Sequence, residues 1–387
     1  MSDPATPEIE PKKQNGLRSR LLSALLLIFC TVMAIESVSR MFLASVQNPV
    51  WRAVVRQYSS LARQDTSSFR FVAESRLTYR LKPGFSAPSD DGGPGTHHNA
   101  MGFRDDFVDE PKRPGTLRIL CLGGSTTYGV SVSNNNQTYP AYLEQYLNGA
   151  YRIGRWDRVQ VYNLGVGGYT SREVLANLKA YGLALDPDVI LIQSAINDVA
   201  PRFYDELQCD YSHFRKTMTP LSPNFLQRTA YRSRFILFTA WQFGLIEPLT
   251  LQSRTQYPAP SPDVALANLG NNSSDCYRRY LEEAINLAET NEIEIWLLSQ
   301  IYLDIPAFQA PTPELQRLDE AYRSGLSDHN QVIRGLCKST SARLIDIDKL
   351  MPRRPALFKD PIHMRATGNQ EKAEIIAKTL QAQTPRQ

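Results

Sequence analysis

The chain has 387 residues, of which 42% are hydrophobic and 21% are charged, and its formal net charge is +4. This balance supplies enough apolar side chains for a large core and excludes an intrinsically disordered protein. Lys and Arg are dispersed after residue 20, without a basic run interleaved with aromatic residues, so the sequence argues against a nucleic-acid partner.

The N-terminal segment combines a positive flank with a long apolar run. Four basic residues between positions 12 and 20 precede the uncharged residues 21–35, and apolar residues continue past Glu36 to position 44. We expect residues 1–17 to form a disordered cytoplasmic tail and residues 18–44 a single-pass transmembrane signal anchor, with Glu36 near the outer interface. A signal peptide cleaved at the small-residue pattern 32–34, or an amphipathic or internal helix, remains open.

The positive flank predicts that the rest of the chain is extracytoplasmic, and periplasmic if the source is Gram-negative. The five cysteines include no C-x-x-C pair and no Cys/His cluster, which argues against a structural zinc. In an oxidising compartment Cys209, Cys276 and Cys337 are candidate disulfide partners. A bond between Cys209 and Cys276 and free buried thiols are both open.

Residues 45–117 show little periodicity, and we expect an irregular lead-in that packs on the surface of the following domain. From residue 117 onward, short apolar strands alternate with amphipathic helices. The predicted strands are residues 117–122, 159–163, 189–193, 292–298 and 343–347, and the predicted helices are residues 139–147, 171–185, 277–289, 318–338 and a terminal helix from about 366. This order indicates a three-layer α/β/α fold around a doubly wound, mostly parallel sheet.

The alternation of strands and helices fails between residues 201 and 272. This stretch includes the apolar residues 235–245, and we interpret it as a helical insertion that covers the substrate cleft. Candidate catalytic motifs lie on both sides of the insertion, so one domain at about 118–381 must draw them together.

Four short motifs follow predicted strands, where an open parallel sheet binds its ligands. The motifs are 123–129 (GGSTTYG), 165–168 (GVGG), 195–198 (AIND) and 360–363 (DPIH). Each has a structural explanation when taken alone: Ser125 as a helix N-cap, the glycines as turn residues, and Asn197 as a turn-closing residue beside a structural Asp198. Their common position favours a site in which Ser125 is a nucleophile.

His363 is the best candidate among the five histidines for a base that activates Ser125. It lies three residues after Asp360 in one loop, whereas the other four histidines have no neighbouring motif. Asp360 can orient the imidazole and stabilise its charged form. The alternatives are a surface Asp–His pair and two metal ligands, and the second is weak because no third ligand is close in sequence.

The four motifs resemble, in order and character, the signature blocks of the SGNH or GDSL-like hydrolase superfamily. The resemblance covers about two-thirds of the chain and implies a flavodoxin-like fold. It further implies that Ser125 is the nucleophile, His363 the general base and Asp360 the residue that orients it.

The resemblance also implies an oxyanion hole formed by the Ser125 N–H, Gly168 and the Asn197 amide. Gly168 is preferred over Gly167 because residues 163–171 resemble the family pattern N-x-x-x-x-G-x-T-S. The sequence departs from the family at Gly124, where the G-D-S pattern has Asp, and at residues 195–196, where glycines are more usual.

We therefore expect a serine esterase that needs no metal or organic cofactor and forms an acyl-serine intermediate. The expected substrate is an O-acetylated carbohydrate or cell-envelope ester. The resemblance implies this because exported, membrane-anchored members of the superfamily are often associated with the acylation of cell-envelope material or exopolysaccharide. The alternatives are a carbohydrate O-acyltransferase with the same triad, a lipid ester hydrolase with residues 235–245 along its acyl groove, and a catalytically silent carbohydrate-binding or assembly protein.

Overall fold

The computed structural model describes residues 14–65, 69–88, 95–107, 111–154, 156–216, 218, 222–246, 259–310 and 312–383. The chain divides into two compact units. The smaller unit comprises Met1–Thr66 and Leu221–Leu249, and the larger unit comprises Ser67–Pro220 and Thr250–Gln387. Of the predicted cytoplasmic tail, residues 1–13 lie outside the described part, and the first helix begins at Gln14.

Within the described residues, the strands are β1 Phe71–Glu74, β2 Leu77–Leu81, β3 Ser86–Ala87, β4 Thr96–His97, β5 Thr116–Gly123, β6 Arg158–Asn163, β7 Val189–Gln193, β8 Glu294–Leu298 and β9 Arg343–Ile345. The α-helices of the same part are α1 Gln14–Ala44, α2 Pro49–Ala62, α3 Ser125–Tyr128, α4 Tyr139–Asn148, α5 Ser171–Asn177, α6 Phe225–Ala230, α7 Arg234–Gln242, α8 Pro262–Asn271, α9 Asp275–Thr290, α10 Pro313–Ser339, α11 Ile347–Leu350 and α12 Ala366–Gln383.

The larger unit is built on a five-stranded sheet in the order β6-β5-β7-β8-β9, and every neighbouring pair in it is parallel. Numbered along the chain, this is the 2-1-3-4-5 order of flavodoxin-like folds, so the predicted doubly wound fold is confirmed. The five predicted strands agree with β5 to β9 to within two residues at each end. The order reverses between β5 and β7, which opens a crevice at their carboxyl ends.

Helices cover both faces of this sheet. Leu120 and Leu122 of β5 join a core cluster that includes α5, α9 and α10, whereas Ile119 and Cys121 join a second cluster that includes α4 and α12. Successive side chains of a strand point to opposite faces, so β5 is buried at every position because each face meets a helical layer.

The predicted helix at 171–185 is continuous but irregular. It begins as α5, where the Glu173 carboxylate accepts a hydrogen bond of 2.8 Å from the N–H of Thr170. It then widens into a π-helical turn at Leu178–Gly182 and tightens into a 3₁₀ turn at Leu183–Leu185. Asp186 ends it in the left-handed conformation, directly before Pro187.

The region at 45–117 differs from the irregular lead-in that its sequence predicts. Its first part is α2, an amphipathic helix of the smaller unit that buries Trp51, Val54, Tyr58 and Leu61. Those residues recur at helical three- and four-residue spacing, so the pattern was present in the sequence. The later part belongs to the larger unit and contains the antiparallel hairpin of β1 and β2.

The predicted insertion at 201–272 is divided between the two units. Residues 221–249 join the smaller unit, where α7 packs against α1 and α2. The expected single helical insertion is therefore not formed, because residues 235–245 and α8 belong to different units. Helix α8 belongs to the larger unit and packs on α10. A disulfide bond between Cys209 and Cys276, the pairing considered from the sequence, joins the first part of the insertion to α9, which follows it, within the larger unit.

Helix α1 contains the apolar stretch Ser19–Ala44. The most apolar 18 residues of this stretch have a mean hydropathy of 2.3, and none of them is buried by the rest of the protein. Among the described residues, it is the one helix long and apolar enough to cross a membrane. The N-terminal segment is therefore consistent with a membrane anchor or a signal peptide.

Candidate active site

The turn after β5 presents Ser125 at the start of a helix. Ser125 is the first residue of α3, and the N–H of a first helical residue has no acceptor within its helix. Two glycines precede it because neither position has room for a side chain. A Cβ at Gly123 would lie 2.3 Å from the carbonyl oxygen of Gln193, and a Cβ at Gly124 would lie 2.5 Å from Nδ2 of Asn197.

The structure brings Ser125, His363 and Asp360 into one chain of hydrogen bonds. Oγ of Ser125 lies 2.8 Å from Nε2 of His363, across 238 residues of sequence. Nδ1 of His363 lies 2.7 Å from Oδ2 of Asp360. This is the order of contacts in which an imidazole removes a proton from a serine while a carboxylate orients the ring.

Backbone contacts fix the loop that carries Asp360 and His363. Oδ1 of Asp360 accepts hydrogen bonds from the N–H groups of Ile362 at 3.1 Å and His363 at 2.9 Å. Phe358 and Met364 pair as an antiparallel bridge that closes the base of the loop. The imidazole therefore has little freedom to leave Ser125.

The carboxyl group of Asp360 is held in its ionised form. Burial opposes ionisation, but the hydrogen bond and positive charge of the His363 ring, with the two backbone N–H donors, outweigh it and lower the pKa of Asp360 below its ordinary value. The carboxylate is therefore charged at neutral pH, as is needed to stabilise a protonated imidazole.

Gly168 and Asn197 lie in the two turns that approach Ser125. Nδ2 of Asn197 donates to the carbonyl oxygen of Tyr169 at 2.9 Å, and that oxygen also lies 3.4 Å from the Cβ position of Gly124. Gly168 has a φ of +83°, a conformation that favours glycine. The side-chain amide of Asn197, one of the predicted oxyanion groups, thus lies beside residue 124, directly before the serine.

The four other histidines have partners elsewhere. His98 and His329 are buried, and a ring nitrogen of each lies 2.9 Å from a backbone carbonyl oxygen, of Lys82 and of Ala195 respectively. Burial lowers the pKa of His98 to about 4 and of His329 to about 3, so both are neutral at pH 7. His97 pairs with Asp106, and His213 contacts the carbonyl oxygen of Pro201.

Asp198, which the sequence favours as structural, is the centre of a buried network. Its carboxylate accepts hydrogen bonds from Ser171, from Ser194 at 3.1 Å and from Tyr211 at 3.0 Å. These contacts join the turn after β7 to the start of α5. They hold Asn197, the preceding residue, in a defined position.

Two residues that support the glycine turn were missed from the sequence. The hydroxyl group of Tyr79 donates to the carbonyl oxygen of Gly167 at 2.8 Å, and Arg215 donates to that of Gly168. Tyr79 lies 88 residues before its partner, and Arg215 lies within the predicted insertion. No local pattern links either residue to the motif, since sequence spacing reports only contacts within one element.

A buried lysine lies behind the nucleophile turn. Nζ of Lys372 donates to Oε1 of Gln193, and the same oxygen accepts a hydrogen bond of 3.3 Å from Thr126, the neighbour of Ser125. Burial lowers the pKa of Lys372 to about 7, although the nearby Cys121 opposes the shift. Among the described residues, no group of three His, Cys, Asp or Glu side chains is arranged to hold a metal ion.

The fold and the hydrogen-bonded Ser-His-Asp triad define a class of proteins, the serine hydrolases with a three-layer α/β/α fold. Residues 121–371 match the model of the GDSL-like Lipase/Acylhydrolase family, and the chain belongs to that family. It is accordingly a serine hydrolase that acts on ester bonds. No curated protein matched the sequence.

The chain is also similar to solved structures of low sequence identity. One is a GDSL-like lipase from Bacteroides thetaiotaomicron, with 15% identity over 71% of this chain and 92% of that chain and a TM-score of 0.41. Another is a catalytic mutant of an acetylxylan esterase from Geobacillus stearothermophilus, with 14% identity over 68% of this chain and 94% of that chain and a TM-score of 0.40.

Proposed function

We propose that the protein removes O-acetyl groups from a carbohydrate or cell-envelope substrate, with Ser125 as nucleophile, His363 as general base and Asp360 as the residue that orients it. The observation that carries the proposal is the continuous hydrogen bonding from Ser125 through His363 to Asp360. The N–H of Ser125, the N–H of Gly168 and Nδ2 of Asn197 form the oxyanion hole.

Acylation begins when Nε2 of His363 takes the proton from Ser125 as Oγ attacks the ester carbonyl carbon. The carbonyl oxygen becomes negative and accepts hydrogen bonds from the oxyanion donors. The intermediate then collapses, the C–O bond to the alcohol breaks, and His363 gives its proton to the leaving oxygen. Water repeats the sequence on the acyl-serine, releasing acetate and restoring Ser125.

A polar substrate with a short acyl group suits the exposure of the site. The side chains of Asp360 and His363 are 41% and 20% exposed, and Thr126 and Asn197 are also partly exposed. The lipid-ester alternative relied on residues 235–245 as an acyl groove. Those residues include α7, whose inner face packs against α1 and α2, so the support for that alternative is weaker.

The acyltransferase alternative uses the same residues, with a sugar hydroxyl in place of water. The binding-protein alternative requires an inactive site, and the close contact between Ser125 and His363 argues against it.

We further propose that α1 is retained as a membrane anchor and that the larger unit is extracytoplasmic. The positive N-terminal flank and the Cys209–Cys276 disulfide bond, typical of oxidising compartments, support this location.

The decisive comparison is between the full chain and Ser125→Ala, both purified in detergent. Release of p-nitrophenol is measured from p-nitrophenyl acetate and from p-nitrophenyl esters with longer acyl chains, and release of acetate is measured from p-nitrophenyl acetate and from acetylated oligosaccharides. Ser125→Ala should lower kcat by roughly 10³–10⁶-fold, because the triad acts as a unit. Ser212→Ala is the matched control, since Ser212 is exposed and its hydroxyl group bonds to Gln208 and Asp210, outside the proposed site.

The outcomes separate the alternatives. Faster turnover of acetylated oligosaccharides than of long-chain esters supports a carbohydrate deacetylase, and the reverse order indicates a lipid esterase. Release of p-nitrophenol only when a sugar acceptor is present, with the acetyl group recovered on the sugar and not as free acetate, indicates an acyltransferase. Equal rates for Ser125→Ala and the unchanged chain would refute the proposed nucleophile.

A further inference from the structure

The smaller unit exposes six large apolar side chains within residues 222–246. We refer to this set as the apolar face, and its members are Phe225, Leu226, Phe235, Ile236, Phe243 and Leu245. Phe225, Leu226, Phe243 and Leu245 are 72%, 75%, 76% and 77% exposed. So many neighbouring exposed apolar residues usually mark a surface that contacts a partner or a membrane.

Helix α7 is apolar on both of its sides. Its inner side buries Leu237. The ring of Phe238 meets that of Trp51 of α2 edge to face, with centroids 5.4 Å apart, and the ring of Trp241 packs against Trp51 at a tilt, with centroids 5.6 Å apart. Its outer side carries Phe235 and Ile236 of the apolar face. A helix at a water-exposed surface usually has a polar outer side. The outer side of α7 carries apolar residues, so its sequence suits an apolar environment on that side as well as against α2.

The start of α7 is attached to the far end of α1. Glu36 of α1 accepts hydrogen bonds from the hydroxyl of Ser233 at 2.7 Å and from the N–H of Arg234 at 2.9 Å. Arg40 forms an ion pair with Glu36 at 2.7 Å and donates to the carbonyl oxygen of Arg232 at 2.7 Å. These contacts define the level along α1 at which α7 begins.

That level coincides with the outer boundary of a bilayer. A helix rises about 1.5 Å per residue, so crossing a hydrocarbon core of about 30 Å takes about 20 residues. Counted from Arg20, the last basic residue before the apolar run, this length ends near Arg40. The same unit contains two aromatic pairs, Trp51 with Trp241 and Tyr58 with Tyr231, and Trp and Tyr are enriched at membrane interfaces.

The charge of residues 222–246 fits the same location. The segment contains Arg228, Arg232 and Arg234 and has no Asp or Glu. Arginine side chains at the ends of short apolar helices reach the phosphate groups of phospholipids, whereas an acidic residue there would be repelled by them.

We propose that residues 222–246 form a second membrane contact, which lies in the outer lipid interface beside α1 and inserts the apolar face among the acyl chains. The partner is the phospholipid bilayer that holds α1. This inference rests on the proposed retention of α1 as an anchor, and it extends that proposal by making the smaller unit partly membrane-embedded.

The test uses the full chain reconstituted into vesicles of phosphatidylethanolamine and phosphatidylglycerol. Single cysteines are labelled with an environment-sensitive fluorophore at Phe243→Cys and Leu226→Cys, in a Cys30→Ala, Cys337→Ala background that removes the exposed and the half-buried free thiol. Val38→Cys in α1 reports the anchor itself, and Arg63→Cys at the end of α2 reports an exposed polar position. All labelled positions are exposed in the protein, so the labels do not disturb its packing.

We expect quenching by nitroxide-bearing lipids at Phe243→Cys and Leu226→Cys to exceed that at Arg63→Cys by about twofold or more, and aqueous iodide to show the opposite order. If Val38→Cys is quenched by lipid but the two labels on the apolar face are quenched by iodide, the anchor stands and the second contact is refuted. Labels protected from both quenchers would mean that protein covers the face, which also refutes it. Absence of lipid quenching at Val38→Cys would refute the anchor and the inference together.

Discussion

Gly124 is a residue at which the sequence departs from the family pattern, and the structure explains the departure. Any Cβ at this position would lie 2.5 Å from Nδ2 of Asn197, so a side chain here would displace the amide. The family's Asp therefore has no space in this arrangement of the turn. Gly124 is required by the packing of the predicted oxyanion hole.

Gly124→Ala should accordingly lower kcat for ester hydrolysis by up to about 10²–10³-fold, the usual effect of losing one oxyanion donor. Asn197→Ala should have a similar effect, and adding Gly124→Ala to it should change kcat little further, because the displaced donor is already absent. Kinetics of the two single variants and the double variant measure this coupling. Gly335→Ala is the control, since no atom lies within 4 Å of its Cβ position, and independent, multiplicative losses would contradict the explanation.

Lys372 links stability to pH. Its pKa is lowered to about 7 by burial, whereas the unfolded chain has a lysine of ordinary pKa near 10.5. Above pH 7 the unfolded state therefore binds more protons than the folded state, and the free energy of unfolding rises with pH, by at most about 1.4 kcal/mol per unit. Buried Asp105, whose pKa burial raises to about 7, opposes this rise close to pH 7, and buried Cys121 and Tyr139, whose pKa values are also raised, oppose it at higher pH.

Lys372→Met should reduce this pH dependence. Met has a similar length and no charge to bury, so the variant should gain stability at pH 7 relative to the unchanged chain. Between pH 7 and 8.5 its free energy of unfolding should rise less steeply with pH, by up to about 1.4 kcal/mol per unit, because the contribution of Lys372 is absent. Urea unfolding at several pH values in this range provides the measurement. A rise of equal slope in the variant would show that another group is responsible.

The hairpin of β1 and β2 has a role that its sequence does not reveal. The hydroxyl of Tyr79 in β2 bonds the buried carbonyl of Gly167, which belongs to the same rigid peptide plane as the N–H of Gly168. The hairpin therefore positions one of the proposed oxyanion donors. It is a structural part of the active site and more than a covering of the domain.

Tyr79→Phe should lower kcat by about tenfold with little change in KM, because the donor acts only when charge develops on the substrate oxygen. It should also lower the free energy of unfolding by about 1–3 kcal/mol, since a buried carbonyl loses its partner. Tyr280→Phe removes a comparable bond, from a hydroxyl to the carbonyl of Cys209, and should lower stability while leaving kcat unchanged. Equal kcat values in the two variants would exclude a positioning role for Tyr79.

For the molecule as a whole, retention of α1 predicts a membrane-bound protein of unchanged mass. The hydrogen bonds of Glu36 and Arg40 to residues 232–234 connect α1 to a later part of the chain. We expect intact-mass spectrometry of the membrane fraction to give the full 43.7 kDa. Ala34→Leu, which removes the small residue that a signal peptidase requires, should change the mass only by the substitution itself and leave membrane association unchanged. A shorter chain that begins after residue 34 in the parent protein, but not in this variant, would establish cleavage.

The sequence by itself determined the sheet, the two helical layers and the motifs at the strand ends. Strands β5 to β9 were predictable because each is a short apolar run whose pattern depends only on having helices on both faces. The motifs at Ser125, Asn197 and His363 were predictable because the carboxyl ends of parallel strands meet at one edge.

Only the tertiary structure decided which distant groups meet. The contact between Ser125 and His363 spans 238 residues, and that between Tyr79 and Gly167 spans 88 residues. The division of residues 201–272 between two units likewise depends on α7 packing against helices from the N-terminal end. Periodicity reports which face of an element is apolar, but not which other element covers that face, because that choice is made by complementary packing of segments far apart in the chain.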